Sequence, residues 1–227
     1  LVGIEAVTPE GLKDVYKDFN LAGEELVERL QTFRKHGVYI LGSFIFGLPS
    51  DRPDTFHATA ELAKRADIAF AQFVTLTPFP GTLDFEKWER EQGDDISTVD
   101  GIPVSRHWLI PQAKRPKLLT PHPVMSGEEI RQGTQNVWNN FYSFKASWKR
   151  SDFLKAFRNR VAFVICSKVM LQAFGNTGLS TDSARASRAT KLGGIGFSLL
   201  QRIFAAAPMP DLKVPKPPEM SGTSAHV

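Results

Sequence analysis

Along the first 80 residues two hydrophobic periodicities alternate. LVGIEAV is a short apolar run broken only by Gly3 and Glu5, and it predicts a strand. Thr8-Pro9-Glu10 follows; Thr8 suits an N-cap and Pro9 the first helical position. EELVERLQTFRKHG sets Leu26, Leu30 and Phe33 at helical spacing and closes on Arg34, Lys35, His36 and Gly37, a C-terminal signal. VYILGSFIFGLP is nearly continuous apolar sequence and predicts a parallel strand covered on both faces. Pro53 to Arg65 predicts another helix, and IAFAQFVTLTPFP a third strand. Strand–helix–strand–helix–strand argues for βα units, a parallel sheet and right-handed crossovers.

The pattern then changes. WEREQGDD is charged, whereas GIPVSRHWLIP and LLTPHPVM read as loop and extended segment. Ser126-Gly127-Glu128-Glu129 is a capping box and predicts a helix to about Phe141. Residues 148–174 predict one helix with Phe153, Phe157, Val161 and Val164 roughly on one face and Arg160 close to it. Residues 176–190 are polar, 195–206 predict an apolar helix, and the Pro-rich stretch from Pro208 predicts a disordered tail.

With 227 residues, 42% hydrophobic and 23% charged, the chain is globular in composition and long enough to bury a core. It opens at Leu1 on what reads as a strand interior, and the expectation is a chain that starts partway through a larger fold. Its one cysteine, Cys166, sits in VAFVICSK. That excludes a disulfide framework and a multi-thiolate metal site made by this chain alone, and it predicts a small buried hydrophobe. No signal-peptide pattern opens the chain. The longest apolar candidate, LGGIGFSLLQRIFAAA, is interrupted by Arg202 and is too short to span a membrane. The expected setting is cytoplasmic, peripheral at a membrane if at one at all. The net charge of +4 is split: residues 1–140 hold 15 Lys+Arg against 20 Asp+Glu, residues 141–227 hold 13 against 4. A basic C-terminal part suits an anionic partner, an intramolecular acidic surface or plain solvation.

In parallel βα architectures the chemistry sits beyond the C-terminal ends of the strands. Three places qualify: Glu5, Gly47-Leu48-Pro49, and Thr77-Pro78-Phe79-Pro80-Gly81-Thr82. A carboxylate in an apolar strand is costly unless paired or liganded, glycine permits close approach, and a Pro-Phe-Pro-Gly turn is stiff. Each also has an ordinary reading: Glu5 pairs with Lys13 or Lys17, and the glycines and prolines make turns. The five histidines, His36, His57, His107, His122 and His226, show no ligand spacing and read as structural or exposed. A nucleophile elbow, HExxH and a P-loop are all missing from the sequence, which disfavours an ordinary barrel hydrolase.

The runs VGIEAVTPEGLKDVYKDFN, GSFIFGLPSDRPDTF and TLTPFPGT, in that order, resemble the second half of a radical S-adenosylmethionine enzyme core. The closest group is the one with an N-terminal cobalamin-binding domain. PHPVMSGEEIRQGTQNVWNNFYS resembles the segment after that core, so the resemblance covers about residues 1–145. It implies an α/β fold, a partial TIM-type (β/α) barrel of about the last three βα units, followed by a mainly helical C-terminal extension. The divisions are 1–100 for the barrel half, 101–147 for a post-core segment, 148–207 for a basic helical extension and 208–227 for the tail.

The resemblance further implies S-adenosylmethionine across the strand ends, a [4Fe-4S] cluster whose CxxxCxxC ligands lie outside this chain, and cobalamin held by an upstream domain. By position, Glu5 contacts the ribose and Lys17 the carboxylate of S-adenosylmethionine. Ser43, Ile45 and Gly47 stand at the Gly-x-Ile-x-Gly strand against adenine, and Thr77 and Pro78 at the last strand end. The chemistry agrees, because a carboxylate accepts both ribose hydroxyls and a cation answers a carboxylate. The cluster loop and the family's early glycine-rich segment are absent, and Asp51 stands only partly for the acid of GLPGE.

The function implied is therefore a fragment of a radical S-adenosylmethionine enzyme, inactive alone, acting with its missing part on a small-molecule or lipid substrate that the residues do not identify. The alternative is a non-catalytic βα scaffold whose basic helical region meets anionic lipid or nucleic acid. Lys149, Arg150, Lys155, Arg158 and Arg160 would supply the charge, and Phe141, Tyr142, Phe144, Trp148 and Phe153 the aromatics. Membrane contact through 148–207 is the favoured form of that reading and nucleic acid the disfavoured one.

Overall fold

The structure, a computed structural model, describes residues 1–175 apart from Leu21, Asp94, Asp95, Gln112, Ala113, Lys117 and Leu118. The polar stretch 176–190, the apolar segment 195–206 and the tail from Pro208 lie outside the described residues.

Three strands, β1 (Val2–Glu5), β2 (Leu41–Phe46) and β3 (Phe70–Thr75), form one parallel sheet in the order β1-β2-β3. α1 (Pro9–Asp14) and α2 (Gly23–Lys35) join the first pair, and α3 (Pro53–Arg65) joins the second. Thr8 caps α1 by accepting from Gly11 N at 3.1 Å. α2 buries Leu26 and Leu30, while Phe33 stays 42% exposed.

β2 differs from its sequence reading. It is not covered evenly on both faces: Gly42, Phe44 and Phe46 are buried, whereas Leu41, Ser43 and Ile45 are half-buried. The reason is one-sided packing. Phe44 stacks on Phe73 of β3 at 5.3 Å, and Phe46 lies 4.7 Å from Phe56 of α3. α5 (Gly127–Phe141) completes this layer with Ile130, Val137, Trp138 and Phe141. Each such ring or branched chain removed from water contributes ~1.5–3 kcal/mol. The opposite face is left to the cavity described below.

α5 begins where the capping box predicts, with Ser126 Oγ accepting from Glu129 N at 3.2 Å and the Glu129 carboxylate accepting from Ser126 N at 2.7 Å. Its C-terminal end seals the outer edge of β3. The Tyr142 hydroxyl donates to Ala71 O at 2.7 Å and accepts from Ala71 N at 2.9 Å. Trp138 Nε1 donates to Phe73 O at 2.8 Å. An exposed strand edge is thereby replaced by buried, satisfied backbone. Among the described residues β1 pairs with β2 alone.

Two segments depart from the sequence reading. Residues 83–125 are not merely loop: α4 (Leu83–Gln92) starts on Thr82, whose hydroxyl accepts from Phe85 N, and it buries Phe85 and Trp88 against Val104. β4 (Thr98–Val99) and β5 (Ile102–Pro103) form a small hairpin. Asp100 and Gly101 turn it, with φ of 52° and 76°, the paired positive values of a two-residue hairpin turn. A 3-10 turn, Val104–Leu109, follows.

The single helix expected over 148–174 is two, α6 (Phe144–Arg150) and α7 (Phe157–Phe174). The break is stabilised from outside the helix. Trp148 O, at the end of α6, accepts from Ser151 Oγ at 2.6 Å and from Arg160 Nη2 at 3.1 Å. Those bonds satisfy a terminal carbonyl that helix continuation would otherwise use. They also explain why Arg160 sits beside the apolar face. Phe157, expected on that face, is 72% exposed, whereas Ala162, Phe163 and Val164 are buried.

Candidate functional site

The half-buried face of the sheet floors a cavity of about 1040 Å³ at the C-terminal ends of the strands. Strand register arranges its floor in layers. Ser43 of β2 lies beside Gln72 of β3, and Ile45 beside Val74, all four lining the cavity. Glu5 stands at the end of β1 after a register shift between Gly3 and Glu5.

Glu5 is held in an unusual conformation. Its φ is 68° and Ala6 N donates to Ile4 O across it at 2.9 Å, a tight turn of three residues that is rare for a residue with a side chain. Lys17 Nζ donates to Glu5 Oε1 at 2.6 Å, with side-chain exposures of 36% and 16% for Lys17 and Glu5. Gly3 leaves the room: a Cβ there would stand 2.5 Å from Glu5 Oε1.

Lys17 reaches this place through the end of α1. Tyr16 N donates to Lys13 O and Lys17 N to Leu12 O, the paired bonds of a helix stop that normally uses glycine in the left-handed position. Here Tyr16 occupies it with φ 56° and lines the cavity. Two strained non-glycine residues thus face one cavity, the concentration expected where strain serves a site.

The loop after β2 is built by carboxylates. Asp51 is 2% exposed, and its Oδ2 accepts from Gly47 N at 2.8 Å and Leu48 N at 3.0 Å. Burial raises the Asp51 pKa, opposed by those two N–H groups. Asp14 accepts from Ser50 N at 2.9 Å. His122 accepts from Val124 N and Met125 N on Nδ1, so its Nε2–H donates to Leu48 O at 2.9 Å. Asp51 and His122 therefore shape the loop rather than face the cavity.

The third rim carries Thr77 and Pro78. Thr77 Oγ1 donates to Thr75 O at 3.1 Å. His107, from the 3-10 turn, is 7% exposed, with Nε2 at 3.4 Å from Pro78 O. Burial lowers its pKa from the ordinary 6.5, Arg115 adds to this and the Pro78 carbonyl opposes it, so the ring is neutral at pH 7.

Of the residues singled out from sequence, Glu5, Lys17, Ser43, Ile45, Thr77 and Pro78 line this one cavity. Gly47 is not among its lining; with φ 89° it turns the neighbouring loop toward Asp51. Sequence reasoning missed Gly3, Tyr16, Gln72, His107 and Arg115. Gln72 left a legible signal, a polar side chain in an apolar strand at the same phase as Ser43. Tyr16 left none, because its role depends on a backbone angle.

Parts of the chain are similar to proteins named as methyltransferases. It is 30% identical over 122 residues to an uncharacterized methyltransferase of Pyrococcus horikoshii, covering 50% of this chain and 26% of that protein. It is 39% identical over 87 residues to bacteriochlorophyllide d C-12(1)-methyltransferase of Chlorobaculum tepidum, covering 38% and 19%. It is 28% identical over 90 residues to hopanoid C-2 methylase of Rhodopseudomonas palustris, covering 40% and 17%. The matches thus span about a quarter or less of these curated relatives. No protein-family model matches the chain.

This corrects the family expectation. The relatives are named for methyl transfer, and none is named as a cobalamin-binding radical S-adenosylmethionine enzyme. The [4Fe-4S] cluster is expected on ligands outside this chain, so the described residues do not bear on it. Cys166 lies on α7 with its thiol pKa raised by burial, and among the described residues no group of three His, Cys, Asp or Glu could hold a metal ion.

Proposed function

We propose that this chain is the S-adenosylmethionine-binding part of a methyltransferase. The observation that carries the reading is convergence. Three consecutive parallel strands and the stop of α1 deliver a carboxylate, an ammonium, two branched apolar side chains and the polar floor residues Ser43 and Gln72 to one cavity, in a chain whose similarity is to proteins named for methyl transfer.

Glu5 and Lys17 together present an acceptor and a cation, the pair needed for ribose hydroxyls and an α-carboxylate. Ile45 and Val74 offer an apolar surface to the base, and the Thr77–Pro78 backbone runs along its edge. When bound, S-adenosylmethionine supplies the methyl group; the chain's own residues orient it.

The cavity volume lies at the upper end of the ~300–1,000 Å³ of small-molecule sites and leaves room for an acceptor. Phe79, Pro116 and Leu119 contribute apolar lining beside the charged Asp84, Lys87 and Arg115. This supports a carbon-rich acceptor of the kind named in two relatives, a bacteriochlorophyllide and a hopanoid. The open three-stranded parallel sheet is read as an arc of a larger (β/α) barrel, with one face packed by helices and the other turned to the cavity.

Calorimetric titration of the chain with S-adenosylmethionine tests the reading. Saturable binding is expected, weakened at least tenfold by Ile45→Trp, which fills the floor, with the circular dichroism spectrum unchanged. Absence of saturable binding by the wild-type chain overturns it.

A further inference from the structure

The helices beyond α5 carry a surface that the cavity does not use. Phe144 is 63% exposed and Phe157 72% exposed. Both rings pack on Trp148, with centroids 6.2 and 5.9 Å away, so the exposed aromatics of α6 and α7 gather about one indole. Around them Lys145, Lys149, Lys155 and Arg158 are exposed, and among the described residues none of the four forms an ion pair.

The other cations of this segment are spent inside the fold, which corrects the contact set expected from sequence. Arg150 stacks on Phe141 at 3.7 Å and donates to Phe141 O, and burial brings its pKa down to about 10. Arg160 lies over Trp148 at 4.3 Å and pairs with Asp152. Phe141 and Tyr142 are core residues, both 0% exposed. What remains outside is two aromatic side chains and, on the same two helices and the turn between them, four exposed cations, of which Lys149 lies near enough to Glu61 of α3 to lower its pKa.

We propose that this face of α6 and α7 docks on an anionic lipid bilayer, with Phe144 and Phe157 entering the interface and Lys145, Lys149, Lys155 and Arg158 meeting the headgroups. Amphipathic helical surfaces of this composition bind through apolar insertion and charge together. Charge argues against self-coverage by the rest of the chain's C-terminal part. Residues 176–227 hold six Lys+Arg against three Asp+Glu, so covering the patch with them would bring like charge to like. Among the described residues no helix is long and apolar enough to cross a membrane, and docking requires none. The inference is independent of the methyl-transfer reading.

Co-sedimentation of the full chain with vesicles tests it. Binding to phosphatidylglycerol–phosphatidylcholine vesicles is expected at low salt, with little to phosphatidylcholine alone, and it should fall as salt rises. The double variant Lys145→Glu, Lys149→Glu is expected to lose at least tenfold in partitioning. Phe144→Ser with Phe157→Ser should lose a similar factor even at low salt. Circular dichroism is expected to stay native in both variants, with a modest drop in melting temperature for the phenylalanine pair, which leaves Trp148. Equal binding to neutral vesicles overturns the proposal, as does no binding at low salt. Tighter binding to single-stranded RNA, or a concentration-dependent dimer lost in the same variants, assigns the face to another partner and overturns it as well.

Discussion

Lys17 Nζ lies 2.6 Å from Glu5 Oε1, and the carboxylate that receives it hangs from a residue with φ 68°. A left-handed glutamate costs ~1–2 kcal/mol that glycine would avoid, and a partly exposed ion pair returns only ~0–1 kcal/mol. Folding alone does not favour glutamate here. Glu5→Gly is therefore expected to leave urea stability within ~1 kcal/mol of wild type. A lost charge-assisted contact of ~1.5–3 kcal/mol lowers S-adenosylmethionine affinity by at least tenfold. Calorimetry paired with urea denaturation checks both. A stability loss with unchanged affinity would make the pair purely structural.

Tyr16 poses the same contrast at the end of α1. Tyr16→Gly places the residue that this helix stop prefers and is expected to raise stability by ~1 kcal/mol. Its ring lines the cavity, so ligand affinity should fall in the same variant. Thermal melting with and without S-adenosylmethionine separates the effects: the apo midpoint rises and the ligand-induced shift shrinks.

Tyr142 predicts the largest loss by a single oxygen atom. Its hydroxyl serves both the N–H and the C=O of Ala71 at a buried sheet edge. Tyr142→Phe leaves both unmet and should cost ~1–3 kcal/mol. A urea midpoint unchanged from wild type would show that β3 finds other partners.

Asp51 sets a pH dependence. Burial raises its folded pKa above the ordinary 3.8, so the folded state holds this proton more tightly than the unfolded chain does. Its stabilising contribution is full below 3.8 and is lost as pH rises through the raised folded value. Asp51→Asn has no such titration. The stability of the variant relative to wild type is expected to grow as pH rises from 3.8 and then level off, measured by urea denaturation across that range. A difference that shrinks with pH would reverse the assignment.

Much of this is legible in the sequence. Apolar runs located β1 to β3, the Thr8-Pro9 cap signal located α1, and helical spacing with its end signals located α2, because each of these is recorded within a few residues; Pro53 to Arg65 likewise marked α3. The Ser126 box marked the start of α5. Two further local signals mark elements that the loop reading leaves out: Thr82 before Phe85 and Trp88, and Asp100-Gly101 between two β-formers. The break between α6 and α7 had no such record. It depends on Arg160 reaching back to Trp148 O, a contact that exists only once α7 packs against α6.

By itself, then, the sequence determined the order of βα units, the strand ends where chemistry could gather, and the single cysteine that keeps a multi-thiolate site out of this chain. Periodicity and composition suffice for those, since each is set by neighbours a few residues away. The tertiary structure alone decided that Glu5 meets Lys17 and not Lys13, that Gly47 turns toward Asp51 instead of the cavity, and that Arg150 and Arg160 are consumed inside the fold while Phe144 and Phe157 stay outside. Those outcomes depend on backbone angles at Glu5 and Tyr16 and on register between strands far apart in the chain, quantities that no local pattern encodes.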